Sequence, residues 1–588
     1  MTAREAVSGD TSVERGYSRR AVLAGTAGLT AATGGCVRQV RTVVNRNDVD
    51  QLSLTITTVP ADGDRESIRI AREIAAVLEA AGVDASIEMR SNEEFLRAIL
   101  INHDFDLYVG RHPGGTDPDF LYEALHSLYA EESGWQNPFG YANLRIDELL
   151  EEQRRTDGDE REAAVEELLE EVAREQPFVP ICIPEEHRMV RTDRFDGWEE
   201  GHLATRLGYL GLTPRGGTDR LRAVHTDARP SENVNPLTVE YRDHDPVIGL
   251  LYDSLATERD GELEPWLAED WKFEDGTLRV ELREGCRFHD GEALTADDVV
   301  FTYDLLRDTE LGGGESPSPP PQYRGPAAIV EGAEKRDGRD YELEFSVDAG
   351  GAVAERALTV PILPEHVWSE RATPATVPGV RVAGGTTEAI TTDNVPPIGS
   401  GPFRFGSRTE REHLTLERFE DHFTLRNGVD LPEPTVDEVR IQIDPRSTSA
   451  IELVSTDSAD VTSSTLETYV LDDVESVEGT DLVESPSWTF YHVGFNTRRA
   501  PFGNPRFRRA VASLLDKEWL VQDVFHGYAR PTATPVTDEW TPDDLAWAGE
   551  DPEVPFSGTD GELDVEAARK AFEDAGFQYD DGTLRVRR

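Results

Sequence analysis

Lysine is nearly missing from this chain. Only Lys272, Lys335, Lys517 and Lys570 occur in 588 residues, and the remaining fixed cations are arginines. Against 59 lysines and arginines stand 115 aspartates and glutamates, a formal net charge of -56. So few cations cannot assemble a basic face, which excludes nucleic acid as a partner. The acids are spread along the chain rather than gathered in one block, which excludes an acidic tail as their source. This much like charge repels itself at low ionic strength, whereas at molar salt the Debye length falls to about 3 Å and the repulsion fades. The composition points to a protein built for concentrated salt.

Cysteine is scarce as well. Cys36, Cys182 and Cys286 lie too far apart for a C-x-x-C metal spacing. Cys182 and Cys286 read as two partly buried thiols, with a disulfide between them as the alternative. G-x-S-x-G, H-E-x-x-H, the P-loop and a G-x-G-x-x-G after a strand are all missing, so no catalytic class is indicated and no cofactor or metal is expected. Near the amino end, Ser18-Arg19-Arg20-Ala21-Val22-Leu23 opens a run, "AVLAGTAGLTAATGG", too short and too rich in Gly and Thr for a membrane span. The run ends at Cys36 and resembles a twin-arginine export signal followed by a lipoprotein cleavage site. It departs from that pattern at Thr33, where Leu or Val is more usual. The resemblance implies a signal over residues 1–36, a lipid on Cys36, and a polar tether over 37–50 on the outer face of the membrane.

The chain is too long for one ordinary core. "QLSLTITTV" at 51–59 alternates as a strand does, and Arg65 to Ala81 places Ile68, Ala71, Ile74, Ala75 and Leu78 on one helical face. "DASIEM", a short helix capped by Ser91, and "DFDLYVG" complete a β-α-β-α-β order, which predicts an α/β lobe. A helical pair over 142–176 and a buried strand, "PFVPICI", follow. Gly208 to Thr218 reads as a linker. After it the pattern restarts: "WKFEDGTLRVELREG" predicts a hairpin turning at Asp275-Gly276, and Thr295 is placed to cap a helix beginning "ADDVVFTYDLL".

"LREGCRFHDGEALTADDVVFTYDLL" (282–306), "GSGPFRF" (399–405), "ILPEHVW", "GFNTRRAPFGNPRFRRAVASLLDKEWLVQDVF" and "DVEAARKAFEDAGF" together resemble the family 5 extracellular solute-binding proteins, the dipeptide and oligopeptide receptors of ABC transporters, in a haloarchaeal type. Passages similar to the family's rear portion stand first here: "LTITTVPADGDRESIRIAREIAAVLEAAGV", "DFDLYVGRHPGGTDPDFLYEALHS" and "EEVAREQPFVPICIPEEHRMVRTDRFDGW". The order looks circularly permuted, which requires the family's original ends to be joined and new ends to open at a surface turn. The resemblance implies a bilobal α/β clamshell with an extra small subdomain. Residues 51–180 would form the first part of lobe two. Residues 181–480 would form lobe one, with the subdomain at about 255–390 and the linker at 208–218. Residues 481–588 would complete lobe two, within one chain or by a domain swap.

The implied function is an extracellular, lipid-anchored, monomeric receptor that captures a small solute, peptide by default, and delivers it to a permease and its ATPase. A solute sensor without transport, or a binder of a nickel complex or oligosaccharide, are the alternatives; an enzyme is not expected. His289 in "RFHDGE" matches a structural position of the family rather than a metal or acid–base site. Candidate ligand contacts lie in loops expected at the cleft: Tyr241, Arg242, Asp243 and His244; Trp488, Tyr491 and Asn496; and Arg111, His112 and Asp117. Peptide-binding relatives carry in the third loop an aspartate for the ligand's amino end, a position that falls near Gly114 or Gly115 here. Arg111 and His112 would instead suit an anion.

Overall fold

A computed structural model describes residues 49–238, 246–314, 317–375, 386–474 and 477–587. The leader, with Cys36, lies outside the described residues. The chain divides into Gln51–Arg585 and a small unit of the two chain ends, Met1–Asp50 with Val586–Arg588; the two main sheets belong to the large unit.

Two sheets organise it. The first has six strands in the order Ala529–Pro531, Phe178–Pro184, Phe490–Phe495, Leu107–His112, Ser53–Thr58 and Asp84–Met89. Ser53–Thr58 runs parallel to Asp84–Met89 and to Leu107–His112, while Phe490–Phe495 runs antiparallel to both of its neighbours. The second sheet has seven strands, with Arg220–His225 parallel to Glu438–Ile443 and Glu186–Arg191 antiparallel to Thr480–Ser485. A separate four-stranded antiparallel sheet is built on Ala268–Glu274, Thr277–Leu282, Glu342–Val347 and Val330–Lys335.

The local signals account for these elements. Helix Arg65–Ala80 begins where the Asp64 side chain accepts the Ser67 backbone N–H, and it buries Ile68, Ala71, Ile74 and Leu78 against the first sheet. Its neighbour Asn92–Leu96, capped by Ser91, continues into a wider π-turn over Arg97–Ile101. The hairpin turn falls at Asp275 (φ 49) and Gly276 (φ 73), two left-handed residues as a two-residue turn demands. Thr295 and Asp298 close a reciprocal capping box on helix Ala296–Arg307. His289 accepts the Gly399 N–H at Nδ1 (3.3 Å) and holds the Gly401 carbonyl at Nε2 (3.0 Å), pinning "GSGPFRF" to "RFHDGE". Cys182 and Cys286 are separate buried thiols.

The segment at 208–218 is not a free linker. Leu207–Leu210 forms a helical turn, Thr213–Pro214 pairs with Phe195–Asp196, and Tyr209, Leu210 and Leu212 are buried in the core of the second sheet. Its glycines and prolines suggested flexibility, but its apolar side chains have an interior to fill.

The end of the large unit meets its beginning. Leu52 donates its N–H to the Leu584 carbonyl (2.9 Å), Leu584 donates to the Gly82 carbonyl (2.9 Å), and the Tyr579 hydroxyl donates to the Ala81 carbonyl (2.8 Å). Leu584 is fully buried there. The two main sheets are joined at two places in the chain: Glu185 alone separates Pro184 from Glu186, and residues 486–489 separate Ser485 from Phe490.

Candidate functional site: a cavity between the two sheets

Between the sheets lies a cavity of about 870 Å³. On the six-stranded side its wall is the loop following Leu107–His112, together with residues 537–539; on the other side it is formed from 200–207, 248–261, 322–326 and 356–361. The connection Pro486-Ser487-Trp488 runs along it. The geometry follows from strand direction. Leu107–His112 ends at the cavity and its following loop lines it, as loops at the carboxyl ends of parallel strands form the crevice of open α/β sheets. Phe490–Phe495 runs the other way, so it presents Phe490 and the residues before it.

The loop after His112 is held by three devices. His112 is buried, accepts the Gly114 N–H at Nδ1 (2.9 Å) and packs its ring against Phe490 (5.0 Å) and Trp135 (5.2 Å). Burial pushes its imidazole down to about 3, so it is neutral and supplies no positive charge. Gly114 sits at φ +66, and a β-carbon there would stand 1.9 Å from the Trp488 carbonyl oxygen, so the loop and the crossing connection touch backbone to backbone. Asp117 accepts two hydrogen bonds from Arg161 (2.9 and 2.6 Å) and lies 3.1 Å from Arg356 Nε. Burial works against its ionisation, but Arg356 and Arg161 outweigh it and hold the carboxyl below its ordinary range.

Trp488 lines the cavity with its ring over His202 (4.4 Å), whose Nδ1 accepts the Ala204 N–H and whose Nε2 meets the Pro486 carbonyl at 2.9 Å. Of the residues singled out in the sequence, the structure therefore brings His112, Asp117 and Trp488 to the cavity. Arg111 and Tyr491 are direct cross-strand partners on the other face of the sheet, both turned to Asp64 (3.7 and 3.2 Å). Asn496 stands at the far end of its strand, where its amide donates to the His103 and Phe105 carbonyls (both 3.0 Å). Tyr241, Arg242, Asp243 and His244 lie outside the described residues.

An anion preference built on Arg111 and His112 does not hold, because one is not at the cavity and the other is neutral. The wall is acidic instead. Eight carboxylate side chains and three arginines line it. Glu200, Asp260 and Glu539 have no cationic partner among the described residues. Sequence reasoning missed Arg206, Glu123 and Arg356. Arg206 is half-buried, donating to Ser254 Oγ (2.9 Å) with Asp253 at 3.3 Å. No local motif marks any of the three, since each reaches the cavity from a remote segment.

Glu123 yields a pH prediction. Desolvation pushes its carboxyl up to about 7, with partial relief from the Gly325 N–H it accepts (2.9 Å). An acid with a raised folded-state pKa holds its proton longer than the unfolded chain does. Stability should therefore fall as pH rises from the ordinary value of 4.5 towards 7, then level off. Glu123→Gln keeps an acceptor for Gly325 and removes this slope. Thermal melts at pH 8 and pH 4.5 should show the variant more stable than the parent at pH 8, by about 3 kcal/mol, and nearly equal to it at pH 4.5.

The body is mixed α/β, with the cavity between its two main sheets. Residues 262–587, more than half the chain, match the model of bacterial extracellular solute-binding proteins, family 5. The chain belongs to that family. The oligopeptide-binding protein AppA of Bacillus subtilis is 27% identical over 265 residues, covering 44% of this chain and 43% of the relative. The peptidoglycan-binding protein YepA of Agrobacterium fabrum is 27% identical over 314 residues, covering 49% and 46%. This chain thus spans about half the length of the curated relatives it matches. The solved structure of Bacillus subtilis AppA in complex with a nonapeptide superposes with a TM-score of 0.45 at 21% identity, over 62% of this chain and 66% of that one. Among the described residues no helix is long and apolar enough to cross a membrane.

Proposed function

We propose that this chain is the solute-capturing receptor of an ABC importer, held on the extracellular face of the membrane by a lipid on Cys36 and acting as a monomer. The observation that carries the reading is the cavity of about 870 Å³ between two sheets joined by only two short connections. Its size falls in the range of small-solute sites, about 300–1,000 Å³. Two lobes on two connections can close over a solute by a hinge movement and offer a permease a changed surface. The first sheet serves as lobe two, completed from both chain portions, and the second as lobe one, with the four-stranded sheet as its subdomain. A circularly permuted order in a haloarchaeal-type protein is supported by the contacts of Leu52 and Gly82 with Leu584 and by the excess of acids.

The solute class proposed is a peptide or related molecule bearing an amino or other cationic group. Two features favour it: the name of the relative AppA and the unpaired carboxylates of Glu200, Asp260 and Glu539 on the wall. Thermal melts in molar salt against peptide, sugar and nickel-chelate pools test this. A ligand at a hundredfold excess over its dissociation constant adds about 2.7 kcal/mol, and basic or amino-free-end peptides should raise the melting temperature while N-acetylated acidic ones should not. A shift from sugars or chelates alone would remove the peptide assignment.

A further inference from the structure

We propose that Glu185, His187 and Glu484 form a divalent-cation site laid across the two connections between the sheets, suited to a borderline transition metal such as Zn²⁺. The placement follows from strand geometry. Glu186–Arg191 pairs antiparallel with Thr480–Ser485, with Glu484 directly opposite His187. Directly opposed residues share one face, with β-carbons about 4.5–5.5 Å apart. Glu185, two residues before His187, points to that same face. One ligand atom from each of the three lies within 4.8 Å of the others. The trio brackets the crossings: Glu185 is the single residue between the two sheets on one strand, and Glu484 is the last but one before the other crossing.

The condition of His187 points to a ligand. Its side chain is 6% exposed, yet Nδ1 is buried without a hydrogen-bond partner among the described residues. Its Nε2 stands 3.9 Å from a Glu185 carboxylate oxygen, too far for a hydrogen bond. Two ligand atoms each about 2.0–2.2 Å from a shared ion can stand that far apart. His202 and His289, by contrast, use both ring nitrogens as backbone clamps. The His187 ring packs edge-on against the Tyr528 ring (5.4 Å), and Tyr528 accepts the Glu185 N–H through its carbonyl (3.1 Å).

The charge balance agrees. Among the described residues neither Glu185 nor Glu484 has an arginine or lysine partner. Two carboxylates beside one imidazole leave a negative pocket that a divalent ion would neutralise. An imidazole favours zinc, nickel or cobalt over magnesium and calcium, whose preferred ligands are all oxygen. Glu484 is exposed and leaves water access for the remaining coordination positions.

The test uses the full chain, stripped with a chelator and dialysed into molar potassium chloride with excess magnesium, so that loose binding to the acidic surface is suppressed. Calorimetric titration with zinc chloride should show one saturable ion per chain, and cobalt should give a visible absorption band at the same stoichiometry. Glu484→Gln, at an exposed position that leaves the fold intact, should weaken zinc at least tenfold, and His187→Gln should abolish the cobalt band. Glu148→Gln, an exposed acid on a helix remote from these strands, should leave both unchanged. The proposal is overturned if uptake is unsaturable, or if zinc affinity in Glu484→Gln and His187→Gln equals that of the parent. This site does not depend on the receptor reading, since neither readout requires a solute in the cavity.

Discussion

Replacing Asp117 with alanine should cost about 3–5 kcal/mol, the largest effect of any single substitution at the cavity. Asp117 is 7% exposed and is the shared anion of two guanidiniums: Arg161 on helix Gly158–Glu175, and Arg356 from the segment Glu355–Thr359 on the opposite wall. Removing it leaves Arg161, 4% exposed, as an uncompensated buried charge. Much of the loss should return in a double variant, Asp117→Leu with Arg161→Met, because an apolar pair of similar volume leaves no buried guanidinium at 161 and Arg356 keeps Glu258 at 3.3 Å. Denaturant melts read the stability. The carboxyl is held below its ordinary range, so its contribution should persist at neutral pH and disappear only as pH falls below 3.8 towards its lowered value.

Gly114→Ala should be nearly as damaging, and for a different reason. The left-handed backbone costs alanine about 1 kcal/mol, and the added carbon would meet the Trp488 carbonyl at 1.9 Å. Backbone cannot yield by rotating a side chain, so the loop after His112 and the connection 486–489 must separate. Solute affinity should fall at least a hundredfold, together with a lowered melting temperature. Gly216→Ala is the control. Its φ is also +66, with nothing within 4 Å of the added carbon. It should show the backbone penalty alone and leave solute affinity untouched.

Legibility in the sequence followed the range of the forces involved. The Ser91 and Thr295 caps, the spacing of Ile68, Ala71, Ile74 and Leu78, and the Asp275-Gly276 turn are all settled within a few residues, and all were readable. Orientation across a sheet was harder. Arg111 and His112 are adjacent, and the pleat sends one to Asp64 and the other to the cavity. Asn496 was chosen because it follows a strand, but Phe490–Phe495 is antiparallel to its neighbours, so its opposite end faces the cavity. Glu123, Arg206 and Arg356 gave no local sign, since only tertiary folding brings them to one wall.

The strand Phe178–Pro184 is buried along nearly its whole length, and its two neighbours, Phe490–Phe495 and Ala529–Pro531, are made roughly 300 residues later in translation. At about 5–20 residues per second, the ribosome leaves this greasy ribbon without its hydrogen-bonding neighbours for about 15–60 s. The second sheet has all its strands by Ser485 and can mature first. Order of manufacture thus makes one half of the molecule the late-assembling half, and the waiting ribbon is where a chaperone has the most to shield.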